Sequence, residues 1–216
     1  LNTKTLALEK HQYWDIPTNI QEPSMTEHEA VELLESELKR SIELQLVADV
    51  EVGTFMSGGI DSTTISAIAS EMHPGIKAFT LAFDKSISKY DELNEATETA
   101  SMHNMKHIVS TLNADVVIEN IDAMVMGYEE PFPSLAANFA ISDIVSKENI
   151  KVVLNGLGGD ELFYGYGHYR QLTQWKKARK LYFMMNLVPF GMSRKLDNIK
   201  NSLSASNVGE FYASQY

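Results

Sequence analysis

Ser57-Gly58-Gly59-Ile60-Asp61-Ser62 constrains this chain more than any other stretch. An apolar run, Val50 to Met56, leads into it, and an apolar-periodic segment, Ile60 to Met72, leads out. The pattern is strand, glycine turn, helix. Such a turn aims backbone N–H groups and the positive end of a helix at one spot. Glycine lets the backbone come close to an anion because no Cβ intervenes. Ser57, Ser62 and Thr63 add hydroxyls, so the turn suits a phosphate or pyrophosphate. Asp61 fits that role only with a cation present, and a magnesium ion shared by carboxylate and phosphates meets the need. The residues match neither the P-loop nor the dinucleotide glycine fingerprint.

A second turn repeats the arrangement. Lys151 to Leu154 reads as a short buried strand, followed by Asn155-Gly156-Leu157-Gly158-Gly159-Asp160-Glu161 and then Tyr164-Gly165-Tyr166. Two glycine turns at the carboxyl ends of strands are where an open α/β sheet binds its ligand. One carboxylate from each turn, Asp61 and Asp160, could share a magnesium ion. The alternative is that Asp160 and Glu161 cap the helix that follows them.

The first turn resembles the SGGxDS loop of the ATP pyrophosphatases. Both turns together resemble the synthetase domain of the glutamine-dependent asparagine synthetases. The flanks agree: Tyr13-Trp14-Asp15, Tyr90-Asp91-Glu92 with Ala96 and Ala100, and Glu130-Pro131-Phe132 with Ser134. This resemblance covers about Tyr13 to Arg170. It implies a three-layer α/β/α fold with a parallel sheet, of the adenine nucleotide alpha hydrolase type. It also implies a chemistry: ATP adenylates a carboxylate (that of aspartate or a related acid), pyrophosphate leaves, and ammonia attacks.

By the same resemblance Ser57, Gly58, Gly59, Asp61 and Ser62 hold pyrophosphate and magnesium, with Asp160 as second metal ligand. Backbone at Phe55 and Leu81 meets the adenine, and core packing explains the same two residues equally well. Asn155 and Gly156 lie near the ribose and α-phosphate. The pattern departs at Leu157. Asparagine-forming members carry an acid there and β-lactam-forming relatives a tyrosine, so the catalytic residue is unknown. No basic residue for the substrate carboxylate is matched between Pro131 and Asn138, and the family's pyrophosphate lysine is expected beyond residue 216.

Composition narrows the alternatives. The 216 residues suit one domain with a sizeable core. With 18 basic and 29 acidic residues the net charge is −11, which argues against a nucleic-acid partner. The basic cluster Lys176, Lys177, Arg179 and Lys180 reads as a solvated helix face. With no cysteine there is no thiolate metal site or cysteine nucleophile. No apolar run nears the ~20 residues of a membrane span. A cytoplasmic setting is expected. The six histidines show no metal-ligand spacing, and the ten methionines read as core filling.

Residue 1 is Leu, and the chain reads as part of a longer enzyme. The expected layout is a linker over 1–25 from an amino-terminal glutaminase domain, the synthetase domain over 26–190, and a helical or mobile end over 191–216. Small carboxylates, ammonia and the glutaminase domain are the expected partners, and a homodimer is allowed. Alone, the chain is expected to be inactive in amide formation. Two other functions stay open: a nucleotide-binding module without catalysis, suggested by Leu157, and an adenylating enzyme of another class such as tRNA modification.

The element pattern begins with a capping box at Thr26 and Glu29. Val31, Leu34, Leu38, Ile42 and Leu46 then give a helix. Strands are expected at Val50–Met56, Ile76–Phe83, Lys106–Leu112 and Ile150–Asn155. Helices are expected at Asp61–Met72, Asp91–Asn104, Asp115–Met126, Ser134–Lys147 and from Gly167 to about Met185. Asn198–Ser206 reads as a mobile or unsupported end. Tyr164, Tyr166 and Tyr169 read as packing at the helix entry, the alternative being that one lines the substrate pocket.

Overall fold

The computed structural model describes residues 4–15, 25–83, 92–128, 130, 134–178 and 194–213. Tyr90, Asp91, Pro131, Phe132, Pro133, Arg179 and Lys180 lie outside them, as does the stretch from 179 to Met185. The chain forms two compact units, Leu1–Arg40 and Ser41–Tyr216.

The first unit contains most of α1 (Glu27–Gln45). Its start is the capping box read from sequence. The Glu29 carboxylate accepts the Thr26 N–H at 2.7 Å, and the Glu29 N–H donates to Thr26 Oγ1 at 3.3 Å. The expected apolar stripe is buried only at Ile42, while Val31 and Leu34 are exposed.

The second unit is built on four parallel strands: β1 (Val52–Phe55), β2 (Lys77–Phe83), β3 (Lys106–Leu112) and β4 (Val152–Leu154). The spatial order is β3-β2-β1-β4. The chain moves outward from β1 to β2 to β3 through α2 (Ile60–Met72) and α3 (Leu93–Met102). It then returns past β1 to β4 through α4 (Ala114–Glu119), α5 (Ile121–Gly127) and α6 (Leu135–Lys147). Right-handed crossovers put helices on opposite faces when the direction of winding reverses. The fold is therefore α/β, a parallel sheet with helices flanking both faces.

Phe79, fully buried at the middle of β2, packs with Val145 of α6 and with Ile150. Ala96 and Ala100 bury the inner side of α3. The sharp exits are local chemistry. Gly75 at φ 79° turns the chain out of α2, while Asn104 at φ 51° and Asn149 at φ 59° follow α3 and α6. Glycine and asparagine tolerate that left-handed region best.

Two expectations change. The helix expected over Asp115–Met126 is two helices, broken at Asn120. The Asn120 side-chain amide donates to the Val116 carbonyl at 2.8 Å and so competes with the helical ladder. Asn198–Ser206 is not an unsupported end. After α7 (Gly159–Phe163) and α8 (Gly167–Ala178), the chain forms α9 (Arg194–Ser204) and α10 (Val208–Ala213). Trp175, Ala205 and Phe211 form a buried cluster, and the indole N–H donates to the Ser202 carbonyl at 2.7 Å.

At the amino ends of the strands, Lys77 reaches Glu51 at 3.4 Å and Glu148 at 3.5 Å, and Lys106 reaches Glu148 at 3.4 Å. The hydrogen bond from Lys106, followed by that from Lys77, holds the Glu148 carboxyl below its ordinary value of 4.5. A depressed folded-state pKa adds stability above the unfolded value and loses it as pH falls through the folded one. Glu148→Gln is therefore expected to melt below wild type near neutral pH. The two melting curves should converge once the pH drops well under 4.5. A constant gap in thermal melts from pH 7 to 3 would contradict this.

Candidate nucleotide site

Reversal of winding direction leaves a crevice between the carboxyl ends of β1 and β4, where open α/β sheets take ligands. The Ser57–Ser62 turn follows β1 and the Asn155–Asp160 turn follows β4, so both border that crevice. They touch. A Cβ on Gly156 would lie 2.6 Å from the Ser62 nitrogen and 2.8 Å from the Asp61 carbonyl carbon. A Cβ on Gly159 would lie 2.5–2.7 Å from both Asp61 carboxylate oxygens. Glycine at 156 and 159 is thus what lets the second turn seat Asp61 against it. Asp160 follows directly, and its own carboxylate fills the space where Gly165 would carry a side chain.

The first turn is braced by its hydroxyls. The Ser57 N–H donates to Ser62 Oγ at 3.0 Å, and the Gly59 N–H donates to Ser57 Oγ at 3.1 Å. Thr63 Oγ1 donates to the Ser57 carbonyl at 3.1 Å. Gly59 is the N-cap residue of α2 and offers no side-chain cap. The start of α2 therefore carries the uncapped donors and positive dipole end expected of an anion site.

The two glycines differ. A Cβ on Gly59 would meet only Ser57 Oγ, at 3.1 Å, whereas one on Gly58 would lie 2.9 Å from the Cβ atoms of both Glu92 and Glu95. Gly58 is small because α3 comes close, and it is absent from the cavity wall. A side chain at Gly58 would thus collide with Glu92 and Glu95, while one at Gly59 would project toward the cavity.

Phe55, Ser57, Gly59, Asp61, Ser62, Leu81, Asn155, Gly156, Leu157 and Asp160 line one cavity of about 600 Å³. Thr80, Glu92 and Ile141, which the sequence reading did not assign to the site, join them, and so do Glu161 of the second turn and Tyr166, one of the three tyrosines weighed for the substrate pocket. The only sequence signal at Thr80, unused in the sequence reading, is that it is the one polar residue between Ala78 and Phe83. Leu157 is 88% exposed, and its N–H donates to Asn155 Oδ1 at 3.0 Å.

Every charged residue described in the cavity wall is acidic: Asp61, Glu92, Asp160 and Glu161. No cluster of three or more metal-ligating His, Cys, Asp or Glu occurs among the described residues. Magnesium is suited to such a site, because one or two carboxylates plus substrate phosphates usually hold it.

Glu161 accepts the Tyr166 hydroxyl at 2.7 Å. That bond, with the N–H groups of Glu161 and Gly158, holds the Glu161 carboxyl below its ordinary range, and Glu161 in turn pushes the Tyr166 phenol up to about 12. Glu161 stands in the first turn of α7, at the positive end of the helix, and is also in the cavity wall. Tyr164 and Tyr166 pack on Tyr169, with ring centroids 5.2 and 5.8 Å away.

A family model described as asparagine synthase matches residues 33–215. The chain belongs to the asparagine synthase family. Among its relatives is an asparagine synthetase [glutamine-hydrolyzing] 1 of Bacillus subtilis (strain 168), 30% identical over 159 residues, or 72% of this chain and 23% of that protein. Another is the amidase chyE of Penicillium rubens, 29% identical over 180 residues, or 75% of this chain and 27% of that protein. The chain spans about a quarter of the length of these curated relatives. Among solved structures, an NH3-dependent NAD synthetase from Campylobacter jejuni in complex with the nitrate ion aligns at TM-score 0.43 and 18% identity, covering 63% of this chain and 60% of that one. Among the described residues no helix is long and apolar enough to cross a membrane.

Proposed function

We propose that this asparagine synthase family chain carries the ATP site of an amide-forming ligase. The observation that supports it most is the convergence of two glycine turns, one at an uncapped helix start, on a cavity whose described charged residues are all carboxylates. A bare triphosphate would be repelled there. Asp61 and Asp160 would hold magnesium, which would neutralise the phosphates.

The Ser57–Ser62 turn would receive the pyrophosphate, the backbone of Phe55 and Leu81 the adenine, and Asn155 with Gly156 the ribose and α-phosphate. A substrate carboxylate oxygen attacks the α-phosphorus and pyrophosphate leaves. Ammonia then attacks the acyl carbon, AMP leaves, and one proton is released. Catalysis of this kind rests on charge neutralisation and positioning more than on covalent help. The full-length protein is read as cytoplasmic, with a glutaminase domain supplying ammonia. Residues 26–190 are read as the synthetase domain, with 1–25 as linker and 191–216 as its helical end.

One relative is called an amidase, and Leu157 supplies neither a proton acceptor nor a charge. The carboxylate is read from the family resemblance as that of aspartate or a related acid, and Leu157 supports a second reading, a nucleotide-binding module without catalysis. The full-length protein with ATP, magnesium, ammonium and aspartate separates them. Ligase activity predicts ammonium-dependent pyrophosphate release from wild type. Full-length Leu157→Glu should raise asparagine formation if the acid was lost by divergence. Mg-ATP binding without pyrophosphate release from any tested acid, in both proteins, would favour the binding module.

A further inference from the structure

β2 and β3 pair in register, with Ala78 opposite His107 and Thr80 opposite Val109. Side chains two apart on a strand share a face, so His107 lies diagonal to Thr80. His107 Nε2 and Thr80 Oγ1 are 2.8 Å apart. Thr80 is 3% exposed, and its hydroxyl donates to the Met56 carbonyl at 2.6 Å. A hydroxyl has one hydrogen. With that hydrogen given to Met56, the oxygen can only accept from the imidazole, so Nε2 carries a proton. Burial pushes the His107 pKa down, which favours the neutral ring and hence its Nε2–H tautomer.

Met56 is the residue before the Ser57 turn, and it is held from both sides. Its N–H donates to the Phe79 carbonyl at 2.9 Å, and its carbonyl takes the Thr80 hydroxyl. Thr80 and Met56 both line the cavity, and His107 does not. We propose that His107 is a positioning residue for the nucleotide turn, acting through the Thr80 hydroxyl to fix the Met56 carbonyl and so the point where the turn begins. This rests on the reading of that turn as the ATP site. Without the imidazole donor, the buried Thr80 oxygen loses a partner and its hydroxyl loses the constraint that aims it at Met56.

The test uses the full-length protein and its His107→Phe, His107→Gln and Thr80→Val variants. Phenylalanine keeps a ring but has no donor, and glutamine restores an N–H at similar reach. Multiple-bond proton–nitrogen spectra of 15N-histidine-labelled protein report the tautomer, and calorimetry reports Mg-ATP affinity. Expected are an Nε2–H ring at His107 and a roughly threefold to tenfold weaker Mg-ATP affinity in His107→Phe, the span of one neutral hydrogen bond. His107→Gln should return to within about twofold of wild type, and the double variant His107→Phe/Thr80→Val should bind no worse than Thr80→Val alone. A nucleotide-binding protein with an Nδ1–H ring, with unaltered affinity in His107→Phe, or with no rescue by glutamine overturns the positioning role. An Nε2–H ring in a wild type that fails to bind Mg-ATP overturns it too, and in that case locates the failure in the nucleotide reading.

Discussion

Gly59→Val is expected to abolish Mg-ATP binding while the protein keeps its fold. Gly59 has φ −72° and ψ 147°, extended backbone that a β-branched residue adopts readily. Valine there adds no backbone strain, and its Cβ would press only on Ser57 Oγ, at 3.1 Å, which the hydroxyl can relieve by shifting a few tenths of an ångström. The methyl groups would stand in the cavity at the start of α2. They would displace an anion from N–H donors worth about 1.5–3 kcal/mol each toward a charged group. The affinity loss is therefore on the order of a hundredfold or more. Circular dichroism and thermal melting should match wild type, and a nucleotide titration should be flat. Ordinary Mg-ATP affinity in the folded variant would remove the turn as the phosphate site. Gly58 cannot serve as this probe, because a side chain there strikes α3.

Asp61→Asn should weaken magnesium-dependent ATP binding by about one to several kcal/mol, the range for losing a charged partner. The variant keeps the shape of the side chain lodged against Gly159, so a change reports charge and not packing. The sign reverses without metal. Removing one of four carboxylates from the wall eases repulsion of bare triphosphate, so binding in EDTA should be unchanged or slightly tighter. Calorimetry in magnesium and in EDTA reads both arms. A wild-type response to magnesium in the variant would clear Asp61 of metal binding.

How far the sequence disclosed this arrangement depended on how local each cause was. The two glycine turns, the alternation of strand and helix and the Thr26–Glu29 capping box were legible because neighbouring residues determine them. The closeness of Gly58 to α3 was not, because Glu92 and Glu95 arrive from more than thirty positions away. Nor was the packing of the end expected to be helical or mobile, since its polar composition hides Ala205 and Phe211, which need Trp175 to cover them. The break at Asn120 depends on a side chain reaching back one turn, a choice that apolar spacing does not register. Thr80 went unmarked in the sequence, because its meaning comes from His107 one strand away.

A crystal of this chain soaked with a non-hydrolysable ATP analogue and manganese tests the central claim most directly. The anomalous map should hold one peak against the carboxylates of Asp61 and Asp160, with the triphosphate laid along Ser57–Ser62. A nucleotide bound away from the β1 and β4 turns, or bound between them with no metal at either carboxylate, would contradict the account.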